Sequence, residues 1–267
     1  MSLDKGWDEP LNILEMKIAF NFIGVVAVLC SMGDARADRR AFSFTYEYVT
    51  QPKGNLELEF YNTQYRSKFG DDAVSTFEEQ IEIEYGITDR TDVSLYQVLE
   101  EVDDTGLHYA ETKLRFRHRF KERGQLPVDV LLYGELIKPF GKGAVAFEPK
   151  LILARDFGAV TAVLNVITEL ELERELEPSG EKELEVVLET GWAFGVTYEV
   201  APVLKLGGET WGAVIKPGSD DQAVEAWIGP SISWAPSPKL WVTGTAGFGL
   251  TDDSDEFLVR ILIGLGL

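Results

Sequence analysis

The stretch Thr76–Phe120 constrains the fold most, because every second residue along it changes character. In 76–87, Phe77, Ile81, Ile83, Tyr85 and Ile87 share one side of a two-residue period. Glu78, Gln80, Glu82, Glu84 and Gly86 share the other. The run 107–120 repeats the pattern with opposite charge: Ala110, Leu114, Phe116 and Phe120 alternate with Glu111, Lys113, Arg115, Arg117 and Arg119. A period of two is the signature of a β-strand. Strands that are apolar on one face and charged on the other suit a wall between hydrocarbon and water, with the charged face turned to a lumen. The alternation therefore predicts an all-β chain, a transmembrane antiparallel up-and-down β-barrel.

Twelve segments carry the alternation: 55–66, 76–87, 91–101, 107–120, 127–137, 146–155, 160–172, 183–199, 203–215, 222–234, 240–250 and 257–267. A tilted membrane strand needs about 9–11 residues, and these segments meet that length. Strands of soluble sheets average about 5–6, which weighs against a secreted β-sandwich with a sugar- or lipid-binding face. The links alternate between short turns, such as Thr88-Asp89-Arg90 and Ala201-Pro202, and longer segments, several of them acidic. Short periplasmic turns and longer outer loops are the pattern of bacterial barrels. An even strand number returns both ends of the barrel to the periplasmic side. Residues 55–267 are thus assigned to the barrel. Residues 38–54, with Phe42, Phe44, Tyr46 and Tyr48 alternating, form an N-terminal segment tucked into or below the lumen.

Aromatic placement agrees with this layout. Tyr85, Phe120, Phe157, Tyr198 and Trp234 lie near the short turns with the parity of the apolar face, and Trp241 follows the last such turn. Barrels carry aromatic girdles at this depth. Phe257, Val259, Ile261, Ile263, Leu265 and Leu267 alternate to the last residue, as outer-membrane assembly signals do, with Leu in place of the usual Phe or Trp.

The apolar run 18–29 is too short for a spanning helix of about 20 residues. It reads as the core of a signal peptide, with Lys17 before it and the A-x-A site Ala35-Arg36-Ala37 after it. Residues 1–37 are therefore an upstream extension plus a cleaved leader, with Met16 the natural start, because acidic Asp4, Asp8, Glu9 and Glu15 do not suit a leader's positive end. Cys30, the one cysteine, leaves with the leader, so the mature chain forms no disulfide. The net charge of −20 argues against nucleic acid, whose phosphates call for basic surfaces.

Pro52-Lys53-Gly54 leading into Leu56-Glu57-Leu58-Glu59, with Glu82-Ile83-Glu84-Tyr85-Gly86-Ile87-Thr88-Asp89-Arg90, resembles proteobacterial outer-membrane barrels of the phenol-degradation MetA-pathway family. The resemblance implies a barrel of about twelve strands and a transport role.

Parity sorts the lumen candidates into sectors. Glu57, Glu59, Glu78, Glu82 and Glu84 come from the first two strands, and Lys113, Arg115, Arg117 and Arg119 from the fourth. Glu169, Glu171, Glu183, Glu185 and Glu189 come from the seventh and eighth. Twelve strands about 4.8 Å apart and tilted about 40° give a backbone diameter of roughly 24 Å and a side-chain-lined lumen of roughly 10 Å or less. Opposite charges then either pair into a network that fills the interior or line a narrow path for small polar or anionic solutes. The alternative to a channel is a closed structural or ligand-binding barrel. A catalytic reading would use His108 or His118, but both have the parity of the lipid face, with no serine beside them to activate. Asp252, Asp253, Asp255 and Glu256 lack the glycine and order of a calcium loop. No cofactor and no metal are expected. The expected partners are outer-membrane lipid and lipopolysaccharide, the barrel-assembly machinery and an unidentified small solute.

Overall fold

Twelve strands pair in sequence order, and the first closes on the last. The computed structural model describes residues 37–70, 73–103, 105–176, 182–217 and 222–267; the proposed leader, except for its last residue Ala37, lies outside them. The strands are β1 (Leu56–Arg66), β2 (Ser75–Thr88), β3 (Thr91–Val102), β4 (His108–Arg119), β5 (Asp129–Pro139) and β6 (Val145–Phe157). They continue as β7 (Val160–Leu176), β8 (Lys182–Ala201), β9 (Leu204–Pro217), β10 (Ala223–Ser237), β11 (Leu240–Gly249) and β12 (Phe257–Gly266). Every neighbour is antiparallel, and β1 meets β12 from Glu57↔Gly266 to Arg66↔Phe257. Closure leaves no edge strand among the described residues. Each of the twelve alternating segments forms a strand, with ends shifted by a few residues. The largest shift is at the end of β7, in a β7–β8 hairpin whose strands run 17 and 20 residues.

The period of two becomes an inside and an outside. Ile81, Ile83, Leu95, Leu114, Phe116 and Leu132 stand exposed on the outer surface, while Glu57, Glu82, Glu84, Asp92 and Arg115 are buried inside. Tyr85, Phe120, Phe157, Tyr198 and Trp234 are 45 to 63 % exposed on the outer face near the short turns.

Trp241 departs from the girdle expectation. It shares the parity of Thr243 and Thr245, turns inward and is buried. A slot at its partner Gly264 receives it, where any Cβ would strike the indole. A second departure arises at the register shift beside Val98/Leu99, where β3 skips Ala110 of β4. The bulge reverses parity beyond that point. His108 therefore shares the inner side of Glu100 instead of facing outward as expected, and Nε2 of His108 lies 3.8 Å from the Glu100 carboxylate.

Residues 37–54 form no strand. They enter at the short-turn end, where the Ala37 amide donates to Pro238 O (2.8 Å), and leave where the Gly54 amide donates to Gly86 O (2.8 Å). Between these anchors the segment climbs inside the wall. Ala41, Phe42 and Tyr48 pack with Leu131, Tyr133, Ile152 and Ala154 into an apolar core within the barrel. Phe42 fits against Gly195 of β8, where a Cβ would overlap its ring.

Candidate functional site in the lumen

The apex of the inward segment is held by single side chains of distant strands. Glu209 of β9 is buried, and its Oε1 accepts from the Ser43 amide (2.8 Å) and the Thr245 hydroxyl (2.7 Å). Its Oε2 accepts from the Phe44 amide (2.9 Å), the Thr45 amide (2.8 Å) and the Thr45 hydroxyl (3.1 Å). Asn165 of β7 mimics a strand partner. Its Oδ1 takes the Tyr46 amide (2.7 Å), and its Nδ2 donates to Tyr46 O (2.8 Å). A segment without backbone pairing needs such acceptors, because a buried unpaired amide is costly.

Below the apex, register explains a charged network. Glu57, Glu84, Ser94, Arg115 and Glu135 share one row across β1 to β5. Ser94 is short, so Arg115 reaches over β3 and donates through Nη2 to Glu84 Oε2 (2.6 Å), with Glu82 Oε1 at 2.9 Å. Its Nη1 donates to the Tyr96 hydroxyl (2.5 Å). Arg117 grips both oxygens of Asp92 from Nε (2.9 and 3.2 Å) and also meets Glu84 and, at 3.4 Å, Asp38. The Tyr61 hydroxyl sits between Glu82 (2.5 Å) and Glu59 (2.8 Å) and accepts from Arg40 Nη1 (2.7 Å). Glu57 accepts from the Asp38 amide (2.5 Å), Gln51 Nε2 (2.5 Å) and Trp241 Nε1 (2.7 Å). Asp38 belongs to the inward segment, and burial pushes its carboxyl up to about 6 against the opposing pull of Arg117. Carboxylate oxygens of Glu59, Glu82 and Glu84 lie within 4.8 Å of one another, a spacing a metal ion could use. Arg115 supplies a positive partner there, and the Tyr61 hydroxyl a hydrogen-bond donor.

The remaining candidates spread along the lumen. Arg119 lies at the short-turn end, where Nε donates to the Thr50 hydroxyl (2.7 Å) and Nη2 to Asp89 O (2.5 Å). Lys113 stands higher, with Nζ 2.9 Å from Glu111 and 3.7 Å from Glu135. Glu78 pairs with Arg260 (3.1 Å). Glu169 and Glu171 line the wall towards the long loops; Glu183 and Glu185 are on β8, but their side chains lie outside the described residues.

Above the apex lies a cavity of about 290 Å³. Phe44 stacks on Trp211 (centroids 4.0 Å apart, 7° between planes), and Trp211 faces Trp227 at 6.2 Å and 15°. Arg260 covers Phe44 at 4.2 Å, and Lys150 lies between the rings of Tyr46 and Tyr133 (4.7 and 4.6 Å). The acidic loop after β11 is fastened to β10 by hydrogen bonds: Asp253 accepts from the Val224 amide (2.8 Å), and Asp255 O accepts from Trp227 Nε1 (3.0 Å).

Nδ1 of His118 lies 2.9 Å from the Thr91 hydroxyl, and the ring stands edge-on to Phe120. Among the described residues, no carboxylate contacts that ring to orient it as a base. Sequence reasoning passed over Glu209, Asn165 and Asp92. Glu209 offered one signal, a lone carboxylate of inner parity within Gly207-Gly208-Glu209-Thr210.

No family model matches the sequence, and no curated protein does. Solved structures do match. The NanC porin is 13% identical, with a TM-score of 0.54 over 79% of this chain and 100% of its own. The KdgM porin in complex with disordered oligogalacturonate is 8% identical, also at 0.54, over 79% and 99%. The translocator domain of the autotransporter NalP from Neisseria meningitidis is 7% identical at 0.50, over 94% and 95%. At such identities the likeness is one of fold: this chain has the closed antiparallel barrel seen in outer-membrane porins.

Proposed function

We propose that this protein is a channel-type barrel of a Gram-negative outer membrane that passes small polar solutes through a narrow, charge-lined lumen. The observation that carries the reading is an apolar outer surface wrapped around an interior of charged side chains, which suits a wall between lipid and water. Lipid and lipopolysaccharide are its surroundings, the barrel-assembly machinery its route there, and kinship with the MetA-pathway family is part of the same proposal. The anionic preference suggested by the arginine row is weakened, because Arg115 and Arg117 are matched by Glu82, Glu84 and Asp92. Residues 37–54 occupy the short-turn half, so passage requires that segment to move.

One observation favours the second reading, a closed barrel that binds a ligand: the network around Arg115 and Arg117 is sealed from water. Planar-bilayer conductance and liposome swelling with neutral, anionic and cationic solutes test the choice. Discrete openings and solute uptake support the channel. Their absence, both in this protein and in a Glu209→Ala variant that frees the segment, leaves the closed barrel.

A further inference from the structure

Glu57 is a buried carboxylate served only by neutral donors. It is 0% exposed, and it accepts from the Asp38 amide (2.5 Å), Gln51 Nε2 (2.5 Å) and Trp241 Nε1 (2.7 Å). Among the described residues it makes no ion pair, because the guanidiniums around it are committed elsewhere. Arg115 serves Glu82 and Glu84, Arg117 serves Glu84, Asp92 and Asp38, and Arg40 serves Glu59. A carboxylate taken out of water calls for a positive partner. One of the three donors is a nitrogen that hydrolysis can charge. The Asp38 amide is half of the Ala37–Asp38 bond, which directly follows the A-x-A site Ala35-Arg36-Ala37. That bond also stands at the boundary between solvent and interior. Ala37 lines a pocket at the short-turn mouth with Pro202 and Pro238, whereas Asp38 is 6% exposed.

We propose that the mature protein begins at Asp38 with a free α-ammonium group, and that this group is the cation of Glu57. A leader peptidase hydrolyses the Ala37–Asp38 bond with water. The new Ala37 carboxylate departs with the leader, and the Asp38 amine takes up a proton. Folding then carries the charge to the place where Asp38 N stands, beside Oε2 of Glu57. A charged donor in a dry site is stronger than the amide it replaces. What cleavage loses is the bond from the Ala37 amide to Pro238 O, at the mouth, where water can substitute. The ion pair fastens the entry of the inward segment to β1, beside the contact of Asp38 with Arg117. Leader removal thus completes the docking of that segment. The inference rests on the leader reading of the sequence and not on transport.

The full chain, leader included, is expressed in a Gram-negative host and purified from the outer membrane. Intact mass is expected to place the first residue at Asp38. The amine is probed with 2-pyridinecarboxaldehyde, which is selective for α-amines. The folded barrel should react at least about 100-fold more slowly than the same chain in urea, since the group is buried and paired. A glycine inserted between Ala37 and Asp38 moves the amine one residue, about 3.8 Å, away from Glu57. With heat-modifiable migration on a gel kept, it should speed maleimide labelling of Ala41→Cys about tenfold. Glu57→Gln should speed labelling by a similar factor. Adding the glycine to Glu57→Gln should change little, because the amine then has no carboxylate to lose. A first residue other than Asp38, or an amine as reactive in the barrel as in urea, overturns the proposal. So does a glycine insertion that has no effect, or one that acts equally with and without Glu57→Gln. Bilayer conductance bears on the channel reading alone.

Discussion

Glu209→Ala isolates what keeps the inward segment in place. The carboxylate accepts from three backbone amides, those of Ser43, Phe44 and Thr45, and from two hydroxyls. Alanine leaves the amides buried without an acceptor, while the hydroxyls can turn elsewhere. Each orphaned buried amide costs about 1–3 kcal/mol, and water entering from the cavity offsets part of it, so a total of about 3–6 kcal/mol is expected. At about 1.4 kcal/mol per tenfold, docking of the segment weakens by roughly 10²–10⁴. Glu209→Gln keeps the shape but puts an amino group against amides that also donate, and about 1–3 kcal/mol is expected. The assay is maleimide labelling of Ala41→Cys, a fully buried position, in a background where Cys30 is alanine. Labelling should be slow with Glu209 present, intermediate in Glu209→Gln and at least about 100-fold faster in Glu209→Ala. The wall ladder is untouched, so heat-modifiable migration should persist. Unchanged labelling in Glu209→Ala, with the barrel intact, refutes the view that this carboxylate holds the segment.

Arg117→Met strands Asp92, Glu84 and Asp38 without their shared cation and should destabilise the barrel by about 3–5 kcal/mol in urea unfolding. Combining it with Asp92→Leu should recover a substantial part; no recovery means the loss is not electrostatic. Gly264→Ala pushes a Cβ into the Trp241 ring and should cost about 1–3 kcal/mol and red-shift tryptophan emission. Gly244→Ala, whose Cβ meets nothing closer than 3.8 Å, should do neither. Docking of the inward segment should also depend on pH through Asp38, which faces Arg117, Arg115, Asp92 and Glu47. Its pKa is raised from 3.8 to about 6, so the docked form keeps a proton that the freed segment has lost. Docking is therefore firmest below about pH 4 and loosens as pH rises through 6, by up to about 3 kcal/mol. Labelling of Ala41→Cys, normalised to an exposed cysteine, should show this trend, and Asp38→Asn should flatten it.

The wall was legible because a period of two is a local property. Ile81, Ile83 and Tyr85 face out and Glu82 and Glu84 face in whatever the rest of the chain does, since adjacent side chains on a strand point to opposite faces. Twelve such runs sufficed for the strand number and the antiparallel order. His108 marks the limit of that logic. One bulged residue, Ala110, reverses parity, and nothing in the alternation announces it.

The lumen's chemistry was decided by closure. Arg115 reaches Glu84 because β2, β3 and β4 align Glu84, Ser94 and Arg115 in one row. Trp241 faces inward by the parity of its own strand, but it meets Glu57 because β12 sets Gly264 beside it and β1 brings Glu57 alongside. Residues 38–54 carry a strand-like alternation, yet the ring of twelve is complete without them, and they coil inside on Glu209 and Asn165. Which face a side chain takes follows from its own strand. Which charge it meets across the interior depends on strands far away in sequence, and only the closed, registered barrel fixes that.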